Sequence, residues 1–298
     1  MVRCVRGRMR FAVDVAPGFD YGRQAHLTEL LDSGAVFRSD IMTLTLHVVR
    51  QPDDAHLAQA RIEDGDIRVS LQLEAGQLRG MVLESAADGP LRAVGVAEIS
   101  GLFDDTVRFW HDWLTRSTYV GRWREMVHRS AITLKLMTYA PTGGLVAAPT
   151  AGLPEQVGGE RNWDYRYTWV RDASFSVLAL LRLGFVDEAA RFGGWLGDRI
   201  RERLRGVGGP LNIMYRVDGS SELKEEVLEH WAGYRGSRPV RIGNGAADQL
   251  QLDIYGEAMD SIFAADRAGQ LVPHRGWTSI SDVLEWVAAN WDQPEEGI

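Results

Sequence analysis

The first hundred residues alternate apolar and polar positions with the period of two that is typical of β-strands. The alternation is longest in Ile41–Val49 and Ile67–Leu73, and Val2–Val15 and Leu91–Ala97 show it more briefly. Turn residues separate these segments at Pro17-Gly18, Asp64-Gly65 and Asp88-Gly89. Several short strands with turns between them predict an antiparallel β-sandwich. Because the first strand-like segment begins at residue 2, we expect this sandwich to be incomplete.

From about residue 104 the apolar positions recur with the period of a helix. The predicted helices are Asp104–Leu114, Trp123–Tyr139, Arg171–Leu183, Val186–Leu204, Asp248–Ala268 and Ser279–Asn290, the last opened by a capping box of Ser279 and Asp282. Arg171–Leu183 is apolar nearly all round, which predicts burial on every side. A long loop is predicted at Ala140–Gly159, and a hairpin at Leu211–Val217. Alternating buried and amphipathic helices joined by aromatic loops predict a layered helical barrel whose loops build a site.

The aromatic residues mark where the two patterns meet. All ten tryptophans lie between Trp110 and Trp291. The sequence therefore predicts an α+β protein in three parts: an incomplete antiparallel β-sandwich over 1–103, linker helices and a loop over 104–160, and the first part of a helical barrel over 161–298.

Composition and charge exclude several classes of function. The 298 residues include 41 Asp and Glu against 33 Lys and Arg, a formal charge of −8, so we expect neither a nucleic-acid nor a membrane partner. The single cysteine, Cys4, excludes an intramolecular disulfide and a cysteine-based zinc site. The seven histidines are scattered without ligand spacing, and no nucleotide-binding motif is present. We expect no metal and no cofactor, and in the absence of a leader sequence a cytoplasmic location.

The segment Arg161–Asp172 has the sequence RNWDYRYTWVRD and carries the densest chemistry in the chain. Sugars are bound by aromatic faces and by charged groups that bridge neighbouring hydroxyls. Arg171 is a bidentate donor and Asp172 a bidentate acceptor, so the adjacent pair could grip one pyranose from two sides. The alternative is a helix N-cap at Asp172 that is salt-bridged to Arg166, with the tryptophans sealing a barrel.

A second segment combines Trp231–Tyr234 with the small and polar residues of Ser237–Gln249. Small residues before a helix let the backbone approach a ligand closely, while Arg241, Asn244 and Gln249 supply hydrogen bonds. The alternative is a tight turn that begins a helix, with no ligand.

Three stretches, Arg161–Asp172, Tyr234–Asp253 and Tyr255-Gly256-Glu257, resemble bacterial members of glycoside hydrolase family 15. The resemblance implies a β-sandwich followed by an (α/α)6 barrel, and inverting hydrolysis of α-glucosidic bonds in trehalose or malto-oligosaccharides. It also implies that Arg171 and Asp172 hold the non-reducing-end glucose. Four further residues, by the same resemblance, line that pocket: Trp169, Arg241, Asn244 and Gln249.

The same resemblance places the catalytic carboxyls outside these residues. An inverting glycosidase needs a general acid and a general base. The family's acid follows a Gly-(Ile or Leu)-Trp-Glu pattern, of which the sequence holds only Gly297-Ile298, and the base lies further on. We therefore expect no catalytic residue in this chain, no hydrolysis by the chain alone, and apolar barrel faces that favour self-association.

Two other functions stay open at the level of the sequence. One is a non-catalytic glycan-binding or scaffold module that uses the aromatic loops. The other is a complete enzyme of different chemistry, with two of Asp164, Asp172 and Asp253 as acid and base across one cleft. The choice between trehalose and malto-oligosaccharides stays open as well.

Overall fold

The computed structural model describes residues 1–49, 60–86, 92–205, 211–269 and 274–296. It divides the chain into two compact units, Met1–His111 and Asp112–Ile298. The strands of the first unit are β1 Val2–Arg3, β2 Arg8–Val15, β3 Leu27–Leu31, β4 Gly34–Arg38, β5 Thr43–Val48, β6 Arg61–Glu63, β7 Asp66–Glu74, β8 Leu78–Arg79 and β9 Met81–Ala86. The later elements are α1 Val96–Leu114, α2 Arg124–Met137, β10 Thr168–Trp169, α3 Val170–Arg182, α4 Val186–Arg205, β11 Met214–Tyr215, β12 Glu226–Val227, β13 Arg241–Ile242, α5 Asp253–Arg267 and α6 His274–Asn290.

The first unit contains two antiparallel sheets, with strand orders β2-β7-β6 and β3-β4-β5-β9. The alternation predicted for Ile67–Leu73 is confirmed, since its four apolar side chains are buried within β7. Side chains from both sheets share one core cluster, formed by Phe19, Ala35, Phe37, Leu46 and Ile67. The chain thus combines helices with antiparallel sheets, as the α+β prediction states.

One predicted turn in the first unit is confirmed and two predicted strands need correction. Asp64 and Gly65 connect β6 to β7 with φ of 53° and 87°, the left-handed values of a tight hairpin. Val2–Val15 forms two strands rather than one. The strand predicted at Leu91–Ala97 is wrong, because Val96 begins α1 and packs beside Ile99 on a helical face. Leu91 and the predicted turn at Asp88-Gly89 lie outside the described residues.

In the second unit, α3 packs against both α4 and α5. The helices predicted at Arg171–Leu183 and Val186–Leu204 are confirmed to within one residue at each end. Burial on every side of α3 is wrong: Ala173, Val177 and Leu180 are buried on one face, whereas Phe175 is 53% exposed. An apolar helix is thus covered only where its described neighbours reach it.

A short strand pair fixes the start of α3. Leu211–Val217 does not form the predicted hairpin, because β11 pairs with β10, which lies more than forty residues earlier. The Val170 amide also donates to the carbonyl of Ile213 at 2.9 Å. This pairing holds the chain immediately before Arg171 and Asp172. The predicted capping box at Ser279 is wrong, since α6 begins at His274 and Ser279 lies inside it.

Candidate functional site

The first turn of α3 carries an arginine that is held from several sides. Nη1 of Arg171 donates to Oδ2 of Asp253 at 2.7 Å and to Oε1 of Gln251 at 3.4 Å. Nε of Arg171 lies 3.4 Å from Oδ1 of Asp172. The guanidinium carbon is 5.2 Å from the centroid of the Trp169 ring, within cation–π range. Arg171 therefore links the beginning of α3 to the beginning of α5.

Asp172 lies in the first turn of α3 without capping it. The N-cap position is Trp169, and no side chain caps the helix. The alternative of an N-cap Asp172 paired with Arg166 is therefore wrong, because Arg166 pairs with Asp164 instead. The Asp172 side chain is 42% exposed, which leaves carboxylate oxygen accessible to a ligand.

The charge environment of Asp172 is mixed. Burial raises its pKa above the usual range, the Arg171 guanidinium opposes this, and the nearby Asp253 carboxylate adds to it. Burial also raises the pKa of the Tyr165 hydroxyl, and the charges of Glu155 and Asp172 contribute. The guanidinium of Arg171 supplies donors, and the carboxylates of Asp172 and Asp253 supply acceptors. Neighbouring sugar hydroxyls require both kinds of group.

A row of alternate polar residues supports Arg171 from the α5 side. Gln251 is 1% exposed, and its Nε2 donates to Oε1 of Gln249 at 2.9 Å. Asp253 is in the first turn of α5. Gln249 thus reaches Arg171 only through Gln251. We name Gln249, Gln251 and Asp253 the polar row.

Asp164 is the centre of a second cluster, and its own carboxylate is fully buried. Its carboxylate accepts from Nε and Nη2 of Arg166, both at 2.8 Å, and from the Tyr167 hydroxyl at 3.0 Å. Tyr167 in turn accepts from the Gly243 amide at 3.0 Å. Burial and the charge of Asp164 raise the pKa of Tyr167. These bonds tie the RNWDYRYTWVRD segment to the Gly243 turn.

Asn244 bonds to this second cluster, whereas the partners of Arg241 are Glu160 and Glu225. Asn244 accepts from the Ala246 amide at 3.0 Å and donates to the Asp164 carbonyl at 3.2 Å. Nη1 of Arg241 donates to the Glu160 carbonyl at 2.9 Å, and its Nε lies 3.1 Å from Glu225.

The glycine-rich stretch approaches the chain itself. A Cβ on Gly243, whose φ is 75°, would lie 2.0 Å from the Lys224 carbonyl oxygen. Asn244 caps the short 3-10 helix Gly245–Asp248. The contacts around these residues are those of a tight turn that begins a helix.

Three predicted residues, Trp169, Arg171 and Asp172, come together, and Gln249 joins them through Gln251. Sequence reasoning missed the contact of Gln251 with Arg171, and it treats Asp253 only as an acid or base. The spacing of two in Gln249, Gln251 and Asp253 was the available signal, because alternate positions share one side of an extended segment.

The described residues contain neither a metal-binding cluster nor a membrane-spanning helix. Within residues 1–49, 60–86, 92–205, 211–269 and 274–296, no group of His, Cys, Asp and Glu side chains has a metal-binding arrangement. No helix over the same ranges is long and apolar enough to cross a membrane.

Comparison with known proteins places the chain in a family. Residues 121–298 match the model of the glycosyl hydrolases family 15. The chain is 36% identical to a protein named trehalase from Mycolicibacterium smegmatis, over 100% of this chain and 44% of the relative. A trehalase of Thermoplasma acidophilum is 43% identical over 65% of this chain and 32% of its own length. A solved glycosidase aligns with 57% of this chain and 41% of its own at 23% identity, with a TM-score of 0.40 that is too low to bear on the fold.

The chain spans less than half the length of these curated relatives. The similarity to the Mycolicibacterium protein nevertheless runs across all of it, and the family match covers both the Arg171 and the Asp164 clusters. The chain belongs to glycoside hydrolase family 15.

Proposed function

We propose that this chain supplies the glucose-binding part of the active site of a trehalase. Arg171 donates to hydroxyls of the non-reducing-end glucose, and Asp172 accepts from them. The observation that carries the proposal is the unsaturated Arg171–Asp172 pair: the carboxylate is 3.4 Å from Nε, and its side chain is 42% exposed. A sugar hydroxyl can therefore insert without breaking a buried bond.

The other predicted binding residues take supporting positions in this proposal. Trp169 is 7% exposed and lies beneath the Arg171 guanidinium. Gln249 acts through Gln251, while Arg241 and Asn244 shape the neighbouring wall. We assign the substrate as trehalose rather than malto-oligosaccharides because the related proteins are named trehalases.

In the full architecture that we propose, the two sheets of the first unit form a β-sandwich and the helices of the second belong to an (α/α)6 barrel. The reaction is inverting hydrolysis, with both catalytic carboxyls outside these 298 residues. Occupied carboxylates support this assignment, since Asp164 is saturated by Arg166 and Tyr167, and Asp253 is bonded to Arg171. These bonds argue against the alternative of a complete enzyme in which two of Asp164, Asp172 and Asp253 act as acid and base.

The last described residues also support the assignment. The Glu296 amide donates to the Leu250 carbonyl at 3.0 Å, and the Leu252 amide donates to Glu295 at 2.7 Å. These two contacts flank Gln251, which touches Arg171. The residues that precede Gly297-Ile298 of the general-acid pattern are thus anchored beside the glucose-binding group.

Calorimetric titration of the chain with glucose and trehalose tests the proposal, together with an assay of glucose release. We expect sugar binding that Asp172→Asn weakens, and no glucose release. Asp260→Asn on the exposed side of α5 is the matched control and should leave binding unchanged. Absence of binding, or equal binding by Asp172→Asn, would contradict the proposal.

The genomic DNA around the reading frame separates a hydrolase from a glycan-binding module. In-frame codons for Trp-Glu directly after Ile298, followed by further helices, would support the hydrolase. A stop codon at that point, combined with measured sugar binding, would favour the non-catalytic module.

A further inference from the structure

Arg171 has two carboxylate neighbours, and they are not equivalent. Asp253 accepts from Nη1 at 2.7 Å, whereas Asp172 lies 3.4 Å from Nε. Charge-assisted hydrogen bonds between nitrogen and oxygen are strongest near the shorter of these distances. Asp253, which follows Arg171 by 82 positions in the sequence, is therefore the principal charge partner of this guanidinium.

Gln251 contacts the same nitrogen from a buried position, at 3.4 Å and so more weakly than Asp253 does. Its Oε1 accepts from Nη1 of Arg171, and its Nε2 donates to Oε1 of Gln249. Because both ends of the amide are engaged and the side chain is buried, rotation of the amide by 180° would break both bonds. Both contacts of the polar row with Arg171 are therefore made to Nη1 of the guanidinium.

These contacts orient the two terminal nitrogens of the Arg171 guanidinium differently. Nη1 is occupied by the polar row, and the ring of Trp169 lies under the guanidinium. Among the residues that the structure describes, Nη2 of Arg171 donates no hydrogen bond. Asp172, which Arg171 contacts only at 3.4 Å, keeps accepting capacity for a ligand.

We infer that Asp253 is a positioning residue that holds Arg171 so that Nη2 and the Asp172 carboxylate face the same sugar. The inference rests on the proposed function, since it concerns how that glucose-binding pair is built. Asp253 acts through the arginine because its Oδ2 accepts from Nη1 at 2.7 Å, although its side chain is 41% exposed, nearly as much as that of Asp172. Without it, Arg171 would turn toward Asp172 and consume the acceptor that the sugar needs.

A purely structural role would look different. Asp253 lies in the first turn of α5, where any short acceptor or acidic side chain stabilises a helix. Asparagine keeps the size and an acceptor oxygen of aspartate, so Asp253→Asn retains most of that helix stabilisation. It removes the charge that orients Arg171, and it therefore separates positioning from folding.

The test uses the full 298-residue chain and two readouts. Glucose affinity is measured by calorimetry, and the water exchange of the Arg171 Nε–H is measured by ¹⁵N NMR, with the signal assigned through Arg171→Lys. We expect Asp253→Asn to weaken glucose binding about tenfold, the effect of one charge-assisted bond. Exchange of the Arg171 Nε–H should also be altered.

Three further variants complete the design. Asp260→Asn makes the same chemical change seven residues along α5 and should move neither readout. Asp253→Glu restores the charge and should recover part of the affinity. Asp253→Ser is made alongside, so that the conclusion does not depend on one variant folding, and it should weaken binding as Asp253→Asn does.

The outcomes separate the inference from the proposed function. If the unchanged chain binds glucose and both Asp253→Asn and Asp253→Ser bind it equally well, the inference alone is overturned. If Asp260→Asn weakens binding as much as Asp253→Asn, the positioning role is likewise overturned. If the unchanged chain binds no sugar, the proposed function falls, and the inference falls with it.

Discussion

Arg161–Asp172 holds an arginine–aspartate pair near each end, and the two pairs differ in almost every physical respect. The first, Asp164 with Arg166, is a bidentate contact at 2.8 Å around a carboxylate that is fully buried. The second, Arg171 with Asp172, is loose and partly exposed. The two aspartates are eight positions apart and the two arginines five, yet the pairs occupy opposite extremes of hydrogen-bond saturation.

The difference shows which pair supports the fold and which can take a ligand. A buried carboxylate that lost a donor would be left with a large desolvation cost, so the Asp164 bonds must persist. For a half-exposed carboxylate, exchanging one contact for another changes the free energy little, because water can solvate the group in between. The proposed function therefore places ligand exchange at the Arg171 end, while the bonds of the Asp164 end hold the loops in place.

The largest expected effect is at Asp164. Asp164→Asn removes the charge from the fully buried acceptor of Arg166 and Tyr167, and we expect it to lower the free energy of unfolding by about 3–5 kcal/mol. Urea unfolding measures the loss. Asp198→Asn, which removes an exposed ion pair with Arg201 on α4, should cost no more than about 0.5 kcal/mol. Equal losses in the two variants would contradict the framework role of Asp164.

A second buried carboxylate extends the comparison to α4. Glu188 is 3% exposed and accepts from Lys135 at 2.7 Å and from the Trp113 indole at 2.8 Å. We expect Glu188→Gln to cost about 3 kcal/mol, because it breaks a largely buried pair. Asp187→Asn, beside it and paired with Arg116 in an exposed position, should cost about 0.5 kcal/mol. A ranking in the opposite order would show that burial does not set the cost.

The pH dependence of the Glu188 contribution has a definite sign. Burial alone would raise its pKa, but the hydrogen bonds from Lys135 and Trp113 outweigh burial and lower the pKa below 4.5. The folded chain thus binds the proton more weakly than the unfolded chain. The stability from Glu188 is fully present above pH 4.5 and is lost as the pH falls through the lower folded value. Unfolding curves of the unchanged chain and Glu188→Gln should converge in acid.

Asp172 should show the opposite division between binding and stability. Asp172→Asn removes a charged acceptor, and we expect it to weaken glucose binding by about 1.5–3 kcal/mol while leaving the unfolding midpoint nearly unchanged. Since the pKa of Asp172 is raised above 3.8, the folded chain binds this proton more tightly than the unfolded chain, and the small stability it contributes in acid is lost as the pH rises from 3.8 through the folded value. As the pH is lowered, glucose binding should therefore weaken at a higher pH than it would for an aspartate with the ordinary pKa of 3.8. A variant that unfolds readily yet binds normally would place Asp172 with the framework.

The sequence was most informative where one periodicity has one structural solution. The alternation of Ile67–Leu73 predicted β7 because each apolar side chain has to reach the same core. The helix predicted at Val186–Leu204 was confirmed because its apolar positions share one face. Partners across the chain were harder: nothing local at Leu211–Val217 indicates that Met214 pairs with Trp169.

The candidate site shows the same limit. The residue types of Arg171 and Asp172 point to sugar chemistry, and the structure places them side by side. Their neighbours Gln251 and Asp253 come from a segment some eighty positions away, and only the packing of α3 against α5 brings them there. Local pattern could not distinguish Asn244 from a ligand-binding residue, because capping and ligand binding use the same amide.

The smallest overall effect is expected at Asn244, which tests whether the Asp164 cluster takes part in ligand binding. Its Oδ1 accepts from the Ala246 amide, and its Nδ2 donates to the Asp164 carbonyl. Asn244→Ala removes an N-cap, and we expect a loss of about 1 kcal/mol of stability with glucose affinity unchanged. Asn244→Ser keeps a cap acceptor without placing a carboxylate against the Asp164 carbonyl, and it should recover part of that loss. If calorimetry instead shows weaker glucose binding in both variants, the Gly243 turn contributes to the ligand site. Asn244 would then belong functionally with Arg171 rather than with Asp164.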